Sequence, residues 1–438
     1  MLADSIKRRI IAVNDKRILP VITVLLFIAG FMYSRSYTPA WPGDFTAYLG
    51  AGYALAEGVN PYDDQAVSRC LSHNGLHDVE NLPYLYSPVF AIPFSIARYT
   101  GPVWIRRIWF LSLHGSFWLG FYLLLRKRPQ NKSIAIMVVL GTLLLFMGPY
   151  RSAAKWGQVT ALLFFLVSIA MYRQRSSILS GSVLSMIPLI KPALALPLFI
   201  LRGKAWVFLA LTTVAVILIS LGTSGPEPWR QYATALNNVS SNWNLAMPAN
   251  QSLTGNVHRI VGMYNKNYGA ATPVIHKERV KRAEEERALS TGISASLMLV
   301  VLATILLSIG QSRWRSFYLS KYFAPLLCWI SLLISPLAYD HYGLFLLPLL
   351  IESIFIGSKR LYIPAVIAFS YWALIPNADS FTANQALLLS IEAIRPALLV
   401  WVAIVYSRTV SAILLSKNCN TDDRLSMYQS ELSVLSIR

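Results

Sequence analysis

ILSGSVLSMIPLIKPALALPLFILRGK, residues 178–204, decides how this chain is read. The apolar run from 178 to 201 lies between the basic residues Arg173 and Arg175 and the basic residues Arg202 and Lys204, and Lys191-Pro192 interrupts it midway. A single straight crossing would put one of these basic pairs on the wrong side of a membrane, because lysine and arginine collect on the inner face. Two half-helices meeting at Lys191-Pro192 return the chain to its starting side, and irregular backbone is tolerated at that depth where protein or a water-filled cavity surrounds it. The expectation is therefore a broken-helix hairpin. An ionisable group within a span costs at least about 2.5 kcal/mol and usually marks a site. Lys191 would meet an anionic lipid phosphate, or else snorkel or pair with a carboxylate such as Glu352 or Glu392, and both readings stand at this point.

The rest of the chain agrees with a membrane setting. Of 438 residues, 55% are hydrophobic and only 13% charged, and the mean hydropathy is +0.49, which fits no soluble, disordered or collagenous class. The 39 Lys+Arg against 20 Asp+Glu give a formal net charge of +19. In a soluble chain that excess would suggest nucleic acid; here the cations sit in short clusters between apolar runs, so no nucleic-acid partner is expected. Cys70, Cys328 and Cys419 fall in an expected outer loop, a span and the tail, which leaves an intramolecular disulfide without a basis.

Runs long enough for a hydrocarbon core of about 30 Å predict ten full spans besides the hairpin, at 18–34, 103–125, 134–150, 157–172, 205–223, 292–309, 322–337, 343–357, 361–375 and 386–407. The expected fold is all-α, a polytopic membrane helix bundle forming a single domain over 1–417, with 418–438 as a cytoplasmic tail. The first span reads as a retained anchor, since no small-residue cleavage site follows it. Lys7, Arg8, Arg9, Lys16 and Arg17, and then Arg126, Lys127, Arg128 and Lys132, mark the inner side and place both termini in the cytoplasm. Two outer loops, 35–102 and 224–291, are far longer than the others, and such loops are usually functional.

In the first loop, Phe45, Tyr48, Leu49, Gly52, Leu55 and Ala56 recur at helical spacing before Gly58, which predicts an amphipathic helix on the outer leaflet. Asp44 stands at its start, as an N-cap, as a general base, or as both. The apolar stretch 84–99, interrupted by Pro88 and Pro93, reads as a second interfacial or re-entrant helix, with Tyr84, Tyr86 and Tyr99 in the headgroup layer. In the second loop, MPANQSLTGNVHRI, residues 247–260, offers Asn250, Gln251, His258 and Arg259, a composition that suits polar turns and a sugar or phosphate site equally. HKERVKRAEEER, residues 276–287, reads as a solvated helix with i,i+4 ion pairs. His341, in Asp340-His341-Tyr342, follows Ser335-Pro336 at the outer end of a span, and Arg106, Arg107, Arg151 and Lys155 are within reach of a lipid phosphate or of ordinary headgroups. HExxH, CxxC, outer-loop DxD, P-loop and GxGxxG patterns are all absent, so neither a metal nor a cofactor is expected.

Six stretches in order, DFTAYLGAGYALAEGVNPYD from Asp44, YLYSPVFAIP from Tyr84, GQVTALLFFL from Gly157, GSVLSMIPLIKPALALPLFI from Gly181, NQSLTG from Asn250 with Arg259, and SPLAYDHY ending at Tyr342, resemble glycosyltransferase family 87 of the GT-C superfamily. The departures are YSP where many relatives read YPP, and the charged 276–287 segment. The resemblance implies a bacterial inner-membrane enzyme that transfers a mannose-like hexose from a polyprenyl-phosphate donor to a lipid or glycan acceptor, with its cleft open to the periplasm or cell exterior. It also implies Asp44 as catalytic base and Lys191 and His341 as substrate contacts. Tyr48, Gln158, Arg151, Asn250, Gln251 and Arg259 complete the expected binding set. Two other readings compete: a transporter or flippase for an anionic lipid-linked substrate, with Lys191 in a broken helix, and a lipid-linked glycan polymerase or ligase.

Overall fold

The computed structural model describes residues 2–77, 79, 82–173, 177–239, 250, 252–264, 287–335, 338–374 and 393–416. Every regular element among them is helical. The expected tail 418–438, the HKERVKRAEEER segment up to 286, Gln251 and Glu392 lie outside the described residues.

Among the described residues, five helices are long and apolar enough to cross a membrane: α1 (Leu2–Ser34, through its part Arg17–Ser34), α6 (Pro102–Arg126), α12 (Lys204–Ser224), α15 (Arg287–Ile309, through its part Leu289–Ile309) and α20 (Ala393–Ser416). A sixth is counted if a bent pair is taken as one broken span: α7 (Gln130–Phe146) and α8 (Gly148–Trp156) bend by 54° at Met147, which is extended at φ −85° and ψ 150°, with Pro149 in the first turn of α8 where its missing N–H leaves no bond unmade. The other segments read as full spans are shorter helices: α9 (Thr160–Tyr172), α17 (Phe323–Ile334), α18 (Leu347–Ile356) and α19 (Lys359–Leu374); α13 (Glu227–Val239), α14 (Leu253–Tyr264) and α16 (Trp314–Leu319) lie between the spans. The two groups differ in their surroundings. On α12 and α15, Leu211, Leu218, Ile219, Leu299, Val300 and Leu307 stay exposed, as lipid-facing side chains do, whereas α17 is buried from Phe323 to Leu333. A helix apolar on all sides belongs inside a bundle, and α17 has the core position.

Within 178–201, α10 (Ile178–Leu184) and α11 (Met186–Ile190) end at Lys191, and two 3-10 turns, Pro192–Leu194 and Leu196–Ile200, lead back. Arg173 and Arg202 line one cavity, so the two ends of this segment lie together. Gly181 permits this return: a Cβ there would lie 2.2 Å from the Ala205 carbonyl oxygen, so only glycine lets α10 come so close to the start of α12.

The segment 35–102 differs from the interfacial expectation. It forms α2 (Gly43–Glu57), α3 (Asp64–His73), α4 (Pro88–Ser95) and α5 (Ala97–Thr100). α2 is buried at Gly43 and continuously from Phe45 to Ala54 and therefore has no solvated face. The apolar spacing was real, but glycine and alanine at positions 50–52 and 54 let the remaining faces pack as well. The rings of Tyr48, Phe90, Phe94 and Trp109 pack with centroids 5.0–5.8 Å apart and join α2, α4 and α6. Tyr84 and Tyr86 are buried in this cluster rather than in a headgroup layer, and of the three tyrosines only Tyr99 is exposed. Asp63 caps α3, accepting from the backbone N–H groups of Gln65 and Ala66.

Candidate functional site

Asp44 is not an N-cap. α2 begins at Gly43 with Pro42 in the cap position, so Asp44 falls in the first turn, where the positive end of the helix dipole favours a carboxylate. It is half-buried, at the end of a helix that is otherwise enclosed.

Lys191 approaches from the other side. Its backbone N–H closes α11 on the Ile187 carbonyl at 2.7 Å, and Pro192 holds it extended at φ −139° and ψ 84°. This is the restriction a proline places on the residue before it, and it turns the side chain out of the helical path. The Nζ donates to Gln158 Oε1 at 3.0 Å. It also lies over the Tyr342 ring at 4.4 Å and the Tyr86 ring at 5.3 Å, and the Asp44 carboxylate acts on it electrostatically. Rings at these distances attract a cation without neutralising it.

Gln158 is placed by Gly157, which ends α8 in the left-handed region at φ 71°. Trp109 donates to the Gly157 carbonyl at 2.9 Å, and a Cβ at Gly157 would lie 3.0 Å from Phe45 Cβ. The Gly-Gln pair is therefore a tight turn that aims one amide into the site. Tyr86 donates to the same Gln158 oxygen at 3.3 Å, and Tyr48 donates to the Tyr86 oxygen at 3.0 Å. Tyr48 and Tyr86 belong to 35–102, outside the membrane-spanning helices. Burial, followed by the Asp44 carboxylate, holds the Tyr48 phenol well above its ordinary range; for Tyr86, burial and then Tyr48 do the same. Both hydroxyls consequently remain protonated donors at neutral pH.

The fourth wall is the 3-10 turn Asp340–Leu346. His341 is buried, lies edge-on to Tyr342 at 4.7 Å between ring centroids, and its Nε2 has no hydrogen-bond partner. Trp372 ties the turn down by donating to the Asp340 carbonyl at 3.2 Å. A buried ring nitrogen left unpaired in the protein is costly, and this one adjoins the ring that holds Lys191.

The structure thus brings together Asp44, Tyr48, Gln158, Lys191 and His341, and adds Tyr86 and Tyr342 as the links among them. Of the other predicted residues, Asn250 and Arg151 are engaged elsewhere. Asn250 is buried, with its Oδ1 accepting from the N–H groups of Ser252 and Ala338, which is turn chemistry that anchors the chain ahead of His341. Arg151 stands exposed over the Tyr37 ring at 5.0 Å. Gln251 and the Arg259 side chain lie outside the described residues. Glu352, offered as a partner for Lys191, is instead taken by Arg128, with Lys321 at 3.7 Å. Among the described residues no His/Cys/Asp/Glu group is arranged to hold a metal ion.

Residues 84–276 match the family model of glycosyltransferase family 87. The match includes Tyr86, Gln158 and Lys191, while Asp44 and His341 lie on either side of it. It takes in four of the six stretches that carry the resemblance, those beginning at Tyr84, Gly157, Gly181 and Asn250, and the matched family is one of glycosyltransferases. Comparison with curated proteins and with solved structures found no match.

Proposed function

We propose that this protein transfers a mannose-like hexose from a polyprenyl-phosphate donor to a lipid or glycan acceptor at the outer face of a bacterial inner membrane. The observation that carries this reading is the convergence of a half-buried carboxylate, Asp44, and a half-buried ammonium, Lys191, on one site walled by Tyr48, Tyr86, Gln158, Tyr342 and His341. Transfer from a lipid phosphate needs both groups. The acceptor hydroxyl oxygen bonds to the anomeric carbon as the bond from that carbon to the phosphate oxygen breaks. Asp44 takes the acceptor proton, and the electron pair leaves on the polyprenyl phosphate, where Lys191 opposes the growing charge. The rings around Lys191 hold the ammonium in place and leave it able to act on that phosphate. A single displacement inverts the anomeric configuration, so a β-linked donor gives an α-glycoside, which the product's NMR spectrum reads directly.

The test uses purified protein in lipid nanodiscs with a radiolabelled polyprenyl-phosphate hexose and a membrane lipid extract as acceptor. Asp44→Asn is expected to lose transfer by roughly 10³-fold while still binding donor, within the range general bases supply. Donor binding without turnover by the wild type, across several sugars, would favour a flippase. The bend between α7 and α8, a second break besides Lys191-Pro192, is the feature that keeps that reading in view.

A further inference from the structure

A second site lies at the far end of the same helices. On α6, Trp109 touches the Tyr48 ring, whereas Leu123 and Leu124, near the other terminus, line a cavity of about 530 Å3. At 1.5 Å rise per residue these positions are about 20 Å apart. α9 shows the same separation, with Gln158 just before its start and Tyr172 at its end in the cavity wall.

Five cations line this cavity: Lys127, Arg128, Arg173, Arg202 and Lys321. Glu352 occupies Arg128 and draws Lys321, so among the described residues one carboxylate answers two of the five positive charges. The remaining three are held by groups that carry no charge. Lys127 donates to the Tyr172 carbonyl at 2.6 Å and lies over its ring at 4.4 Å, and Arg173 stacks on the same ring at 5.9 Å. Arg202 donates to the Tyr318 carbonyl and lies over that ring at 5.3 Å, while its buried Nε has no partner. Aromatic faces and carbonyls thus order these side chains while leaving their charge to an anion from outside.

We propose that this cavity binds the phosphate group of an anionic phospholipid. Two observations favour a lipid over a soluble phosphate. Leu124, Met171 and Leu319 form apolar wall beside the cations, and Leu319 is exposed. The cavity also lies where α6 and α9 end and close to where α12 and α17 begin, which is the depth at which headgroup phosphates meet basic residues between helices. Guanidinium groups suit a phosphate because their N–H groups pair with two oxygens at once. The site does not depend on the glycosyltransferase reading.

The test is native mass spectrometry of delipidated full-length protein titrated with phosphatidylglycerol, with phosphatidylcholine, and with glycerol phosphate as the soluble arm. Wild type is expected to prefer phosphatidylglycerol over phosphatidylcholine by roughly tenfold, and Lys127→Gln with Arg173→Gln to remove that preference. Arg173→Gln alone changes an exposed side chain, leaves the Lys127 bond in place, and is expected to weaken binding about threefold. Lys359→Gln with Arg360→Gln, an exposed basic pair outside the cavity lining, should leave the preference intact. Equal losses from both double variants, no headgroup preference in the wild type, or displacement by glycerol phosphate at matching concentration would each overturn the proposal.

Discussion

Lys191 and Glu352 are both ionisable groups enclosed by apolar helices, and they are satisfied in opposite ways. Glu352, whose side chain is 2% exposed, is closed on by the Arg128 guanidinium, with Lys321 behind it. Lys191 has an amide oxygen and two tyrosine rings, with the Asp44 carboxylate acting on it electrostatically. A buried charge closed by direct ion pairing ties the turn after α6 to α18 and keeps little capacity for anything else. A half-buried charge whose hydrogen bond goes to a neutral amide keeps more of its field for a ligand. The difference teaches which of the two ions is a structural tie and which belongs to a site.

The widest separation should come from the lysine. Lys191→Met is expected to lower kcat by roughly 10²- to 10³-fold, the loss typical of removing one group that stabilises transition-state charge, with donor binding changed less. Its melting temperature should not fall, because methionine fills the same enclosed volume without a desolvated charge. If kcat stayed level while donor KM rose, Lys191 would be a ground-state contact only. Glu352→Gln should reverse the pattern. Breaking the pair with Arg128 is expected to cost about 3 kcal/mol, at the low end for buried pairs because Arg128 is 20% exposed and can rehydrate. Thermal unfolding would register that loss, while turnover per folded molecule stays near wild type. A variant that lost activity and kept its stability would erase the contrast between the two centres.

Smaller changes sharpen it. Gly157→Ala forces a side chain into a left-handed backbone and against Phe45, at roughly 1–2 kcal/mol. The expected readout is a modest fall in melting temperature with a larger fall in kcat than in donor affinity, since the turn aims Gln158. Tyr86→Phe keeps the ring near Lys191 and removes one hydroxyl between Tyr48 and Gln158. It should cost about 1 kcal/mol of transition-state binding, or several-fold in kcat/KM. Wild-type kinetics for Tyr86→Phe would mean the ring alone matters.

Much of the site was legible because its backbone signals are local. Lys191-Pro192 announces a break through the proline, and the chain does stop its helix there. Gly157-Gln158 announces a turn that the left-handed glycine supplies. Tyr86 and Tyr342 gave no such signal. A tyrosine in an apolar run reads the same whether it meets headgroups or an ammonium, and only the fold of α4 against α2 and α6 turned Tyr86 inward. Asn250 shows the converse: its polar neighbourhood suits a turn and a ligand equally in the sequence, and the Ala338 N–H, 88 residues away, donates to its oxygen. The count of spans was partly legible for a related reason. Apolar length identifies helices that face lipid, such as α12 and α15, but buried segments such as α17 need not be long to be apolar.

Composition, the spacing of basic clusters and a few proline and glycine positions were by themselves enough to determine a helical membrane protein with a broken segment at Lys191 and a carboxylate at the start of a helix. These features depend on solvent transfer and on backbone sterics, and both act residue by residue. The tertiary structure alone decided that α2 is enclosed rather than interfacial, that Glu352 closes on Arg128 and not on Lys191, and that tyrosines from two distant segments flank that lysine. Those outcomes depend on which surfaces meet, and pairing between distant surfaces leaves no periodic trace in the chain.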